Sequence, residues 1–192
     1  MDFIRQEYPV TDDRSFLFLL GSARHGGNTE ALARAAAAHL PAGTAQEWLH
    51  LADLPLSPFT DRRHTDGVYP QPEGNEQRLL SATLAATDLV VASPLYWYSV
   101  SAPTKLYLDY WSAWLRVPGA DFRARMGGKT MWAVSALSSS DTSTADPLVG
   151  TLRLSARYLG MNWGGVLLGN GSRPGDVDSD ADAQAAAKTF FN

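Results

Sequence analysis

The chain has no cysteine and no long hydrophobic run. Without cysteine it cannot form disulfide bonds, use a thiolate nucleophile, or hold a cysteine-ligated zinc ion or iron–sulfur cluster. No stretch stays apolar over the length that crosses a bilayer, and residues 1–7 show no basic start followed by an apolar run. We therefore expect a cytoplasmic protein with no membrane partner.

Basic residues are also few and scattered. Lysine and arginine number 16 against 20 acidic residues, which gives a net charge of −4. Because proteins that bind nucleic acid usually carry a basic patch or stripe, we expect no nucleic-acid partner. The four histidines do not show the spacing of metal ligands, so we expect no metal site. Apolar residues make up 45% of the 192 residues, which is typical of a globular protein with an ordinary core.

Small polar residues and glycine are concentrated in the segment 21–29 (GSARHGGNT), directly after the apolar run 16–20. A helical pattern of apolar residues begins two positions later, so the segment is predicted to join a strand to a helix. Glycines allow close approach of the backbone to a ligand, and the helix dipole points to the same place. Ser22, Asn28 and Thr29 add hydrogen-bond donors, and Arg24 adds a positive charge. The segment therefore predicts a phosphate site.

An ordinary strand-to-helix turn is the alternative explanation of this loop. Glycine, serine and asparagine are common in any tight turn, and Asn28 or Thr29 could serve as the N-cap of the helix. The loop alone does not decide between the two.

Apolar segments of strand and helix type alternate along the whole chain. We predict strands at about residues 15–20, 46–51, 88–93, 129–135 and 162–168, and helices at about residues 28–40, 73–86, 102–114, 146–158 and 180–191. Alternation of this kind predicts the α/β class, with a doubly wound, five-stranded parallel sheet in the order 2-1-3-4-5 and helices on both faces. We assign residues 1–14 to an N-terminal extension and residues 15–192 to one domain.

The predicted topology requires a ligand to contact the loops after strands 1 and 3, at the switch point of the sheet. The loop after strand 3, residues 93–105 (SPLYWYSVSAPTK), carries three adjacent aromatic residues. Such a loop is suited to a planar apolar ligand beside the phosphate. A subunit contact is the alternative, because aromatic residues are enriched at interfaces.

Segments 21–29 and 93–105, in this order and each after a predicted strand, resemble the NAD(P)H-dependent FMN reductase family of flavodoxin-like proteins. Residues 53–59 and 159–161 are similar to that family too, so the resemblance covers about residues 15–169. It implies noncovalently bound FMN, with NAD(P)H as a transient co-substrate and a small-molecule electron acceptor. The flavin carries the chemistry, so we assign no catalytic side chain.

The resemblance also implies which residues bind the cofactor. The phosphate loop contributes Ser22, Arg24, Asn28 and Thr29; the loop beside the ribityl chain and ring contributes Pro94, Leu95, Tyr96, Trp97, Ser99 and Val100; a third loop after strand 4, residues 135–141, contributes Ser135 and Ser138. Families of this kind often have glycine in the third loop, where this chain has serine.

Two other functions and the oligomeric state stay open at this point. A flavodoxin-like electron carrier would bind FMN and dock to a protein, although carriers are usually shorter and more acidic. A non-redox module that binds another phosphate ligand is the third candidate. The family is commonly dimeric, and we expect a homodimer whose seam lies over the helix at 102–114. This helix carries aromatic residues at helical spacing: Tyr107, Tyr110, Trp111 and Trp114.

Overall fold

The computed structural model describes residues 14–65 and 67–192, and these include a five-stranded, all-parallel sheet. Its strands are β1 (Ser15–Leu20), β2 (Ala45–His50), β3 (Asp88–Ala92), β4 (Thr130–Leu137) and β5 (Asn162–Asn170). Their order in the sheet is β2-β1-β3-β4-β5, which confirms the predicted order. The predicted extension, residues 1–14, lies outside the described residues except for Arg14.

Helices cover both faces of the sheet. They are α1 (Asn28–Ala37), α2 (Gly74–Ala85), α3 (Ala102–Trp114), α4 (Phe122–Met126), α5 (Asp146–Tyr158) and α6 (Ala181–Ala187). Apolar side chains of α1 and α6 share one core, and those of α2, α3 and α5 share the other. The short helix α4 had no counterpart in the sequence prediction. Within the described ranges, no helix has the length and apolar character needed to cross a bilayer.

The central strands β1 and β3 are buried on both faces, which explains their largely apolar sequences. In β1, Leu17 and Leu19 face the core under α2, α3 and α5, while Phe16, Phe18 and Leu20 face the core under α1 and α6. These five side chains are at most 4% exposed. A strand covered by helices on both sides has no polar face, so its residues do not alternate between apolar and polar.

The start of α3 is fixed against the end of β1. Ser101 is the N-cap of α3, and its hydroxyl donates to the Gly21 carbonyl at 2.6 Å. A Cβ atom at Gly21 would lie 2.0 Å from Thr104 Oγ1, so only glycine allows this approach. The contact brings the loops after β1 and β3 side by side at the carboxyl edge of the sheet.

The aromatic stripe of α3 lies inside the core of the protein. Tyr107, Trp111 and Trp114 are at most 5% exposed, and the Tyr107 ring meets the other two edge-on at 5.8 and 5.6 Å. Burial raises the pKa of Tyr107, whose hydroxyl lies 2.7 Å from Thr83 Oγ1. The buried part of the stripe therefore offers no surface to a second subunit, and a dimer seam cannot be inferred from it.

A buried carboxylate at the start of β3 joins several elements. Asp88 is 3% exposed and accepts hydrogen bonds from Arg14 Nη2 at 2.7 Å and from Trp132 Nε1 at 2.8 Å. Arg14 also donates to the Phe191 carbonyl at 2.7 Å. Burial by itself would raise the pKa of Asp88, but the hydrogen bonds from Arg14, Trp132 and Thr87 outweigh it and hold the pKa below its ordinary value.

We expect Asp88→Asn to lower the free energy of unfolding by about 2 kcal/mol at pH 7, because it leaves the Arg14 guanidinium without its carboxylate. Because folding lowers the pKa of Asp88, its carboxylate contributes its full stabilisation at pH values above the ordinary carboxyl pKa of about 3.9. That stabilisation is lost as the pH falls through the lower pKa of the folded state. The difference between wild type and variant should therefore shrink on acidification. Urea unfolding at pH 7 and at decreasing pH measures it.

The control for this prediction is Asp109→Asn. Asp109 pairs with Lys105 on the exposed side of α3, and removing such a pair should change the free energy of unfolding by less than about 0.5 kcal/mol. Equal effects of the two substitutions would contradict the importance assigned to Asp88.

Candidate functional site

Loops at the carboxyl edge of the sheet form a cleft of about 200 Å³. The cleft is lined by Ser22, Arg24, Gly27, Asn28, Thr29, Pro94, Leu95, Tyr96, Ala136, Ser138, Gly171 and Ser172. A cavity of about 340 Å³ adjoins it and is lined by Leu95, Trp97, Tyr98, Leu137, Ser138, Ser139 and Thr144. Leu95 and Ser138 border both spaces, so the cleft and the cavity are neighbours.

The N-terminus of α1 points into the polar end of the cleft. Gly27 is the N-cap, with φ −80° and ψ 167°, and it has no side chain that could accept hydrogen bonds from the first turn. A Cβ atom placed on Gly27 would lie 3.8 Å from Ser22 Oγ and 3.9 Å from Arg24 Nε. A hydroxyl, a guanidinium and the positive end of a helix therefore surround one small volume, which is a favourable arrangement for an anion.

Gly27 is the N-cap, and neither Asn28 nor Thr29 caps the helix, so the N-cap alternative for these two residues is wrong. The Asn28 amide donates to the Arg173 carbonyl at 2.8 Å and accepts from the Gly175 N–H at 2.9 Å. Thr29 Oγ1 accepts from the Ala136 N–H at 3.2 Å, so its own hydrogen can still be donated. The two side chains tie α1 to the loop after β5 and to the carboxyl end of β4.

Glu30 stabilises the loop after β1, which was predicted to bind phosphate. Its carboxylate accepts from the Gly26 N–H at 2.9 Å and from Arg34 Nε at 2.9 Å. Burial would raise the pKa of Glu30, but these two hydrogen bonds, together with the charge of Arg34, keep it below the ordinary value. Because Arg34 neutralises the Glu30 carboxylate, the positive charge of Arg24 stays available to a ligand in the cleft.

The aromatic loop after β3 contains a strained turn. Tyr96 and Ser99 exchange two backbone hydrogen bonds of 3.1 Å, and the residues between them have positive φ angles, 50° at Trp97 and 65° at Tyr98. Bulky side chains rarely adopt this conformation, which costs roughly 1–2 kcal/mol per residue. The Trp97 side chain is 93% exposed. The turn therefore holds two large rings at the open side of the site, where strain of this kind is typical of function.

Three of the residues predicted from the sequence do not line the site. Ser99 closes the turn through its backbone, and Val100 is buried in the core under α2, α3 and α5. Ser135 lies inside β4, which extends to Leu137, two residues beyond the predicted end of the strand. Its side chain is fully buried, and its hydroxyl has no hydrogen-bond partner among residues 14–65 and 67–192.

The structure also adds residues that the sequence analysis missed. Gly171 and Ser172 line the cleft from the loop after β5, because that strand extends to Asn170, beyond its predicted end at 168. A Cβ atom at Gly171 would lie 2.7 Å from Asn28 Nδ2, so the loop packs closely against the start of α1. The sequence Asn170-Gly171-Ser172 is polar and lies at the carboxyl end of a parallel strand, where ligand-binding loops are expected. This position could have identified Gly171 and Ser172 as site residues.

The site suits a ligand with an anionic group at one end and a planar ring system at the other. Its polar end is the uncapped start of α1 with Ser22 and Arg24, and its other end is the cavity bordered by Leu95 and Trp97. The combined size of the two spaces falls in the range of about 300–1,000 Å³ that is usual for cofactor sites. A phosphorylated aromatic cofactor fits this description.

Comparison with known proteins identifies the fold. The chain is similar to the Trp repressor binding protein from Bacillus subtilis, with a TM-score of 0.74 and 26% identity over 93% of this chain and 98% of that chain. It also shares its fold with a flavodoxin, WrbA-like protein from Agrobacterium tumefaciens, with a TM-score of 0.57 and 16% identity over 93% and 95% of the two chains. The fold is flavodoxin-like, as the strand order indicated.

Comparison of sequences identifies the family. The family model for NADPH-dependent FMN reductase matches residues 15–163. A Bacillus subtilis (strain 168) protein named as an NAD(P)H-dependent FMN-containing oxidoreductase, YwqN, is 32% identical over 172 residues, which are 89% of this chain and 93% of that protein. Because the match covers most of the chain, this protein belongs to the NADPH-dependent FMN reductase family.

Proposed function

We propose that the cleft holds FMN with its phosphate before the first turn of α1 and its ring system in the adjoining cavity, and that a small planar acceptor receives the electrons. The chain is an NAD(P)H-dependent FMN oxidoreductase by its family. The observation that supports the placement is that a cleft at an uncapped helix N-terminus adjoins a cavity lined by aromatic side chains.

The phosphate contacts come from the loop after β1. The Arg24 guanidinium and the Ser22 hydroxyl flank the volume in front of Gly27, and the first backbone N–H groups of α1 point into it. We assign the phosphate to these groups. Asn28 and Thr29 act by holding the loop after β5 and the carboxyl end of β4 in place around it.

The ring contacts come from the loops after β3 and β4. When bound, FMN supplies the redox chemistry, accepting a hydride from NAD(P)H and passing electrons on. Pro94 has no N–H, and the N–H groups of Tyr96 and Ala136 are already donated to Ser99 and Thr29. We therefore propose that the backbone N–H groups of Leu95 and Ser138 donate hydrogen bonds to the ring. Both residues border the cleft and the cavity.

Trp97 and Tyr98 form the acceptor side of the site. Both rings are exposed and line the open cavity. Aromatic faces bind planar ligands by offset stacking, so a quinone, a free flavin or a similar small molecule fits this surface. No side chain is assigned as acid or base.

We also propose that the protein is a cytoplasmic homodimer. The location follows from the co-substrate, since NAD(P)H is supplied inside the cell. The dimer is supported by a surface cavity of about 310 Å³ with mainly apolar walls, because contiguous exposed apolar surface marks interaction sites. Its walls are Leu51, Ala52, Leu54, Pro55, Leu56, Ala102, Pro103 and Leu106.

Substitutions at Gly27 test the phosphate position. Gly27→Asp places a carboxylate in the proposed phosphate volume, and charge repulsion at about 4 Å, worth ~1–4 kcal/mol, should weaken FMN binding at least ~10-fold relative to Gly27→Asn. Both side chains are good N-caps, so both variants should be as stable as wild type or a few tenths of a kcal/mol more stable without FMN. Titration of FMN fluorescence and urea unfolding measure the two effects. Equal FMN affinity of the two variants would place the phosphate elsewhere.

Substitutions at Trp97 test the acceptor side. The enzyme is reduced with NADPH without oxygen, which should bleach the flavin absorption bands, and is then mixed with menadione, a small quinone. Loss of the ring in Trp97→Ala or Trp97→Gly should slow reoxidation ~3–10-fold, the amount expected from one aromatic contact. The glycine variant should be more stable than the alanine variant by about 1 kcal/mol, since glycine tolerates the positive φ.

The control for Trp97 is Tyr158→Ala, which removes an exposed ring from α5. It should reoxidise at the wild-type rate. Flavin bands that persist after NADPH would instead favour the electron carrier, and an unchanged rate in Trp97→Ala would remove the residue from the acceptor side.

Light scattering tests the dimer. Wild type should have twice the 20.8 kDa mass of the chain. Leu106→Glu places a charge in the proposed contact and should yield monomers, whereas Leu154→Glu, at an exposed position of α5, should stay dimeric. A monomeric wild-type protein would remove the dimer from the proposal.

A further inference from the structure

Two histidines and an aspartate meet beside the phosphate loop. His25 lies in the loop after β1, His50 ends β2 and Asp53 follows it. The adjacent parallel strands pair Leu20 with His50, so the loops that follow them lie together. One potential ligand atom from each residue lies within 4.8 Å of the other two, and none of the three residues lines the cleft described above. Spacing along the chain does not show this cluster, because strand pairing assembles it.

The hydrogen bonding of His50 leaves one ring nitrogen unused. His50 Nε2 lies 3.3 Å from the Arg24 carbonyl. A carbonyl only accepts hydrogen bonds, so Nε2 carries a hydrogen, and in the neutral imidazole Nδ1 has a lone pair. The residue is 8% exposed, and Nδ1 is buried without a hydrogen-bond partner in the described ranges. Buried polar atoms without partners are rare in native proteins, and each requires an explanation.

A simple ion pair does not explain the cluster. His25 Nε2 lies 3.2 Å from Asp53 Oδ1, and both side chains are well exposed, so that contact alone could be an ordinary surface pair. However, the His25 and His50 rings also stack with their centroids 3.9 Å apart. A pair between His25 and Asp53 also leaves the buried Nδ1 of His50 unused.

We propose that His25, His50 and Asp53 bind a divalent transition-metal ion of the Zn²⁺ type. Two imidazoles and one carboxylate are a ligand set that such ions favour, whereas Mg²⁺ and Ca²⁺ prefer oxygen ligands. The bond from His50 to the Arg24 carbonyl is the kind of contact that orients a metal-bound histidine. The exposed side chains of His25 and Asp53 can rotate to bring their ligand atoms to the ~2.0–2.2 Å that coordination requires.

Zinc titration of the untagged protein tests the site. After dialysis against EDTA, Zn²⁺ is added in competition with a chromogenic chelator, and we expect one ion per chain. His25→Asn and Asp53→Asn alter exposed side chains, so they should fold normally and bind Zn²⁺ at least ~10-fold more weakly. His39→Asn and His64→Asn, which change the other two histidines, should bind as wild type does. Mg²⁺ should not compete.

Two outcomes would overturn the proposal. One is a wild-type protein that does not bind Zn²⁺. The other is wild-type affinity in both His25→Asn and Asp53→Asn, which would place the ion elsewhere. Circular dichroism confirms the fold of each variant, and because the readout is metal binding, the result does not depend on FMN or on reductase activity.

Discussion

The close packing of α3 against the end of β1 is the contact on which the site depends. Ser101 both caps α3 and binds the Gly21 carbonyl, and Gly21 leaves no room for any larger residue. This one junction sets the distance between the loops that follow β1 and β3. With a longer side chain at position 21 the two loops would separate, and the polar cleft would no longer adjoin the aromatic cavity.

Much of the fold could be predicted because its signals are local. Strands buried on both faces have continuous apolar sequences, and parallel strands joined by helices restrict the topology to a few arrangements. The phosphate-type loop was equally visible, since its glycines and polar residues follow β1 directly. The aromatic stripe of α3 was ambiguous, because a buried helix and an interface helix can share the same spacing. Only packing shows that Tyr107 and Trp114 are core residues.

The finer geometry of the site depends on contacts between distant segments. Asn28 looked like a phosphate ligand or a helix cap, yet its amide binds the loop at residues 173–175. Ser135 looked like a loop residue, but β4 continues past it because pairing with β5 persists to Leu137. The hydrogen bonds of Asn28 join residues more than a hundred positions apart, and the pairing of β4 with β5 extends a strand by two residues. Neither effect has a signature in local sequence.

The wall of the cleft formed by Gly171 and Ser172 has a consequence for ligand preference. These residues lie beyond residues 15–163, the part of the chain that matches the family model. Gly171 nevertheless packs closely against Asn28 at the start of α1, and Arg173 and Gly175 of the same loop hydrogen-bond to it. Substitutions in this loop would therefore reshape the cleft without altering residues 15–163. The ligand preference of this chain can thus be changed from its carboxyl-terminal side, with the phosphate loop left as it is.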